Sequence, residues 1–84
     1  MDKEKIVYII KEKIAEALDL LIDEIDDDEN FMKLGLGSID AFDIICSLKE
    51  EIGVEISPVA LFEYKTINTF ADYLVEGGDG TIDE

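Results

Sequence analysis

The chain has no histidine, arginine or tryptophan, and only one cysteine and one proline among its 84 residues. Each shortage removes a class of chemistry. Without histidine there can be no serine-histidine or cysteine-histidine nucleophile pair. Zinc sites lose both the usual imidazole and the several thiolates that a lone cysteine cannot supply. Without arginine the chain lacks the planar fork best suited to gripping phosphate or carboxylate, so any phosphate it carries is expected to be covalently attached or held by helix amides. A single cysteine closes no internal disulfide, and the opening residues lack the basic start, apolar middle and cleavage site of a signal peptide, so a cytoplasmic setting is expected. The apolar run Ile6-Val7-Tyr8-Ile9-Ile10 falls far short of the roughly 20 residues a bilayer span needs, so no membrane insertion is expected.

What the chain has in abundance is negative charge. Its 22 acidic residues face seven basic ones, all lysine, for a net charge of −15. Such a field repels nucleic acid and anionic lipid and attracts basic protein surfaces. With 48% apolar residues the chain is too hydrophobic to be a disordered acidic tail. Its length suits one small domain with a core barely large enough to fold unaided. That domain is expected over residues 1–76, with residues 77–84, rich in glycine, as a flexible tail.

The spacing of Ile6, Ile10, Ile14, Ala17, Leu18 and Leu21 predicts a helix from Lys3 to Leu21, with Asp2 placed to cap it. Acidic residues crowd between Asp23 and Glu29. The pattern then stays aperiodic to Gly37, with Phe31, Leu34 and Leu36 spaced like anchors that pin a loop to a core. A second helix is predicted from Ser38 or Ile39 to Gly53, with Ser38 a natural N-cap and Gly53 a natural terminator. At roughly 100° per residue its Asp40, Asp43, Ser47, Glu50 and Glu51 share one arc, while Ala41, Phe42, Ile44, Ile45, Cys46, Leu48 and Ile52 cover most of the rest. So wide an apolar arc implies contact with more than one neighbour, or an apolar edge offered to a partner. Ser57-Pro58 suits the start of a short helix through Val59, Leu61 and Phe62. Thr66 opens a last helix in which Ile67, Phe70, Ala71 and Leu74 share a face. Strand-like alternation is limited to Val54-Glu55-Ile56. The fold class is therefore all-α, a small bundle of three main helices and one short one.

Most constellations that carry chemistry fail on inspection. Gly35-Leu36-Gly37-Ser38 has neither the third glycine of a dinucleotide loop nor the lysine of a phosphate loop, and it does not match a G-x-S-x-G elbow. Asp26, Asp28 and Asn30 match the first ligands of an EF-hand, but Phe31 and Gly37 fall where the turn glycine and the bidentate glutamate belong, so no dedicated metal site is expected. Asp79-Gly80-Thr81-Ile82-Asp83 resembles only the later part of such a loop. No carboxylate pair is singled out for acid and base work. Cys46, between Ile45 and Leu48, reads as an inert, partly buried thiol.

Ser38 remains. The string Leu34-Gly35-Leu36-Gly37-Ser38-Ile39-Asp40, followed by an apolar and acidic helix, resembles the attachment segment of the acyl carrier protein family, usually Leu-Gly-x-Asp-Ser-Leu. Downstream, Leu61-Phe62-Glu63-Tyr64-Lys65-Thr66-Ile67 is similar to the Leu-Phe-x-x-Pro-Thr-Ile stretch of carrier domains in polyketide and nonribosomal peptide synthases. The two halves stand in the right order and separation, and the likeness runs from the first helix to Leu74. Three positions depart from it. Gly37 replaces the aspartate before the modified serine, Lys65 replaces proline, and Lys49 stands where discrete fatty-acid carriers present glutamate.

The resemblance implies that a phosphopantetheinyl transferase attaches 4′-phosphopantetheine from coenzyme A to Ser38. The loaded chain would then shuttle acyl thioesters between synthase and acyl-transferring enzymes, catalysing nothing itself and working as a monomer. The docking face would comprise Ile39, Asp40, Phe42, Asp43, Glu50 and Glu51, meeting basic surfaces on the client enzymes. The polyketide-like C-terminal stretch and Gly37 point away from bulk fatty-acid synthesis and toward a specialised pathway. Two other readings remain open: an acidic helical adaptor without a prosthetic group, which Gly37 favours, and a divalent-ion module built on Asp23 to Glu29.

Overall fold

The computed structural model describes residues 2–78 and 80, and among them it is all-helical: α1 (Lys3–Leu18), α2 (Ser38–Ile52), α3 (Ala60–Glu63) and α4 (Ile67–Val75), with a single 3-10 turn at Ile22–Glu24. The expected bundle of three main helices and one short one is what forms.

In α1 the predicted stripe is the buried one, Ile6, Ile10 and Ile14, flanked by Val7 and Ala15. Asp2 stands at the N-cap position, but only its carbonyl is used, accepting from the Ile6 amide at 3.1 Å; its side chain makes no capping bond. The helix also stops three residues before the predicted end. Asp19 turns left-handed (φ 57°, ψ 47°), a conformation aspartate tolerates better than most residues, and the Leu20 amide closes back on the Ala15 carbonyl at 2.9 Å. The consequence is a correction to the apolar arc. Ala17 is exposed, and Leu21 stands 70% exposed instead of buried.

The segment between α1 and α2 is pinned where the anchors were expected. Phe31 and Leu36 are buried, Leu34 is half-buried, and Ile25 joins them in the core. The loop is also lashed to the start of α4. The Phe31 amide donates to the Lys65 carbonyl at 2.9 Å, Asn30 and Thr66 form an isolated antiparallel bridge, and the Asn68 amide donates to the Asp27 carbonyl at 2.8 Å. The Asn68 side chain donates to Asp28 at 3.0 Å. Part of the acidic run is thus bound into the fold.

Gly53 ends α2 at φ 81°, where a side chain would be strained. Val54 and Ile56 are then buried with Glu55 exposed between them. Ser57 and Pro58 form a turn ahead of α3 and not its first residues: the Ser57 carbonyl accepts from Ala60 at 3.0 Å and its Oγ from Val59 at 3.3 Å. Before α4, the Thr66 hydroxyl accepts from the Thr69 amide at 3.2 Å and Thr69 Oγ1 from the Thr66 amide at 3.3 Å, a reciprocal cap that fixes the start of this helix. Its face of Ile67, Phe70, Ala71 and Leu74 is buried, and α1 packs chiefly on α4 and less extensively on α2. Of the expected tail, Gly78 donates to the Tyr73 carbonyl at 2.8 Å and Glu55 donates to the Gly80 carbonyl at 2.7 Å; residues 79 and 81–84 lie outside the described residues.

Candidate functional site

The start of α2 is built to hold one hydroxyl in the open. Gly35 reverses the chain at φ 96°, Leu36 plugs into the core at 3% exposure, and two residues later the helix begins. The N-cap position belongs to Gly37 (φ −84°, ψ 172°), so Ser38 is the first helical residue and not the cap expected from its residue type. The Gly37 carbonyl accepts from the Ala41 amide at 2.9 Å. Ser38 is exposed, and its hydroxyl has no hydrogen-bond partner among the described residues. The amides of Ser38, Ile39 and Asp40 are likewise left without protein acceptors, as the geometry of a helix N-terminus dictates. A nucleophilic oxygen therefore sits beside unpaired N–H groups at the positive end of a helix of 15 residues.

Around it, α2 presents two apolar faces, which explains the width of the arc in the sequence. Ala41, Ile44, Ile45 and Leu48 are buried against the bundle. On the far side Ile39 is 80% exposed, Phe42 is 55% exposed, and Cys46 is exposed one turn on. Cys46 was expected to be partly buried because it lies between apolar neighbours in sequence. At roughly 100° per residue it instead points with Ile39 and Phe42, opposite the buried set. Asp43 and Glu50 border this outer stripe, and both are exposed without an ion pair among the described residues.

Asp40 and Glu51 lie on the other flank of α2. Asp40 is half-buried and, with Asp43, Ile44 and Ser47, lines an open groove of about 240 Å³ against Lys13, Glu16 and Ala17 of α1. Glu51 accepts from Lys13 Nζ at 2.8 Å. The proposed docking residues are therefore not one surface. Ile39, Phe42 and Glu50 face out together, Asp43 stands at the edge between that face and the groove, and Asp40 and Glu51 face the seam with α1, where Glu51 is already paired.

The lysines reinforce this division. Lys3 pairs with Asp72 at 3.0 Å, Lys11 with Asp27, Lys13 with Glu51, and Lys49 with Glu55 at 3.5 Å. Four of the seven lysines are thus spent on internal pairs, and none neutralises Asp43 or Glu50. Lys49, which departs from the carrier pattern, is turned toward Glu55. Among the described residues no three histidine, cysteine, aspartate or glutamate side chains converge to hold a metal ion, and no helix is long and apolar enough to cross a membrane.

The family model for the phosphopantetheine attachment site matches residues 9–74, and the chain belongs to that family, whose domains carry covalently attached 4′-phosphopantetheine. The chain is 32% identical over 68 residues to polyketide synthase PksN of Bacillus subtilis, covering 81% of this chain and 1% of that protein. It is 32% identical over 71 residues to chloroplastic acyl carrier protein 1 of Spinacia oleracea, covering 84% of this chain and 49% of that protein. The chain thus spans about half the length of the second relative and a small part of the first. A solved structure of a free-standing peptidyl carrier protein, from an uncharacterized secondary metabolic pathway of Acinetobacter baumannii, superposes with a TM-score of 0.85 at 35% identity, over 89% of this chain and 94% of that one.

Proposed function

We propose that Ser38 is the attachment point for 4′-phosphopantetheine and that the domain shuttles acyl intermediates among the enzymes of a fatty-acid, polyketide or related pathway. The observation that carries this reading is the Ser38 hydroxyl: exposed, unpartnered, and fixed at the first position of α2 by the buried Leu36. A serine serving as the cap would stand at the N-cap position and direct its oxygen to a backbone amide of the first turn, whereas here Gly37 holds that position and Ser38 is the first helical residue.

The surroundings fit a phosphate ester. Its negative charge would meet the free amides of Ser38, Ile39 and Asp40 and the positive end of the α2 dipole. Gly37 leaves room, since a Cβ there would meet only the Asp40 carboxylate, at 4.0 Å. The group itself supplies a long flexible arm ending in a thiol that holds acyl groups as thioesters. The chain's part is to position the attachment oxygen, keep it open to the transferase, and offer a face to the enzymes that use the cargo.

That face is the outer stripe of Ile39 and Phe42 bordered by Asp43 and Glu50. Unpaired carboxylates steer basic client surfaces into encounter, and the exposed apolar pair gives the docked state a desolvated centre. The clients are a phosphopantetheinyl transferase and acyl-transferring or synthase enzymes with basic docking surfaces. The domain catalyses none of their reactions, acts as a monomer and works in the cytoplasm. Intact-mass measurement after incubation with coenzyme A and a broad-specificity transferase tests the attachment. One added phosphopantetheine on the native chain and none on Ser38→Ala supports it; no gain with several transferases favours an adaptor that docks through the same acidic face.

A further inference from the structure

A second trough, apolar at Tyr8, Leu20, Leu21 and Ile22 and charged around them, runs along the flank of α1 that faces away from α2. Two adjoining grooves of about 640 and 560 Å³ share Tyr8, Ile22 and Asp23 in their walls. Tyr8 is 54% exposed and Leu21 is 70% exposed, with the half-buried Leu20 and Ile22 between them. The α1 residues lining it, such as Tyr8 and Ala15, differ from Lys13 and Ala17, which line the groove against α2; Glu16 forms the ridge between the two.

The fold holds this surface open. The left-handed turn at Asp19 stops α1 before Leu21 can rotate into the core, and the Leu21 amide donates to Glu24 Oε1 at 2.8 Å, tying it to the 3-10 turn. Glu12, Glu16, Asp19 and Asp23 line the trough, and none has an ion pair among the described residues. The lysines at its other end, Lys3 and Lys11, are bound to Asp72 and Asp27.

The geometry points to a docking site for a basic amphipathic helix of a partner protein, separate from the Ser38 face. Exposed leucine and tyrosine on a tied turn mark an interaction surface, and the uncompensated carboxylates select Lys and Arg on the occupant while repelling nucleic acid, anionic lipid and a second copy of this chain. The helical wall from Tyr8 to the end of α1 is about 15 Å long, room for just under three helical turns laid into the groove. A partner seated there would hold the domain while leaving Ser38 and the outer stripe of α2 accessible. The site does not depend on Ser38 being modified.

The test is an NMR titration of the isotope-labelled full chain with a synthetic Leu/Lys amphipathic peptide about 14 residues long at a salt concentration of about 0.15 M. The expected result is saturable one-to-one binding with shifts gathered at Tyr8, Glu12, Ala15 and residues 19–23. Leu21→Ser should weaken it about tenfold, while Phe42→Ser and Ser38→Ala leave it within about twofold. Both Leu21 and Phe42 are exposed, so these variants keep the fold. Shifts centred on Ile39 and Phe42, shifts scattered over all carboxylates, equal weakening by the Leu21 and Phe42 variants, or a Leu21-dependent dimer in sedimentation without peptide would each overturn the proposal.

Discussion

The ring of Phe31 meets the ring of Phe70 edge-on, with centroids 5.8 Å apart and planes at 88°. One ring comes from the loop before α2 and the other from the middle of α4, and both are fully buried. Through this contact the loop that carries Leu36 and delivers Ser38 is clamped to the last helix. Phe31→Ala is expected to cost about 3–5 kcal/mol, a large share of the stability of so small a domain. Chemical denaturation of this variant should show a lost or strongly shifted transition; a midpoint within the error of the parent would mean that the loop is not held by this contact.

The outer face of α2 makes a prediction about charge. Asp43→Lys and Glu50→Lys remove exposed carboxylates with no internal partner, so melting temperature should hold while acyl transfer to client enzymes slows several-fold, most at low salt. Glu51→Lys breaks the pair with Lys13 instead, at a cost of about 0.2–1 kcal/mol, with little effect on transfer. Unchanged transfer in both of the first variants would remove this face from docking.

Gly37 is the departure with the clearest structural answer. Its φ of −84° suits any residue, and no backbone atom stands within 4 Å of a Cβ built there. Gly37→Asp should therefore fold normally, with a change of only a few tenths of a kcal/mol at the cap, and should be modified about threefold or more faster if the family's aspartate serves the transferase. A large fall in melting temperature would show instead that the glycine is needed for the fold.

Cys46 lies on the same exposed stripe as Ile39 and Phe42. Native protein should react with iodoacetamide without prior unfolding, and pre-incubation with a docked client should slow that reaction. Alkylation only after unfolding would place the thiol in the core.

Much of this is legible in the residues alone, because helices buried on one side write their period into the chain. The faces of α1 and α4, the loop anchors Phe31 and Leu36, and the Thr66 cap all follow from spacing and residue type. The failures have local causes. Leu21 continues the period of α1 but sits beyond a left-handed Asp19, and periodicity carries no trace of one backbone reversal. Cys46 was misplaced because α2 has apolar residues on two opposite faces, which a single arc merges into one. Glu51 and Glu50 look equivalent in sequence, yet only Glu51 reaches Lys13, a pairing set by how α1 and α2 pack. The cap moved from Ser38 to Gly37 for a related reason: propensity favours serine there, but the turn at Gly35 and the burial of Leu36 fix where the helix begins.

The most direct test of the central claim is the mass of the intact chain after exposure to coenzyme A and a broad-specificity phosphopantetheinyl transferase, with Ser38→Ala alongside. One added phosphopantetheine is expected on the parent and none on the variant. A gain that persists without the Ser38 hydroxyl, or no gain on a folded parent with any of several transferases, would contradict it.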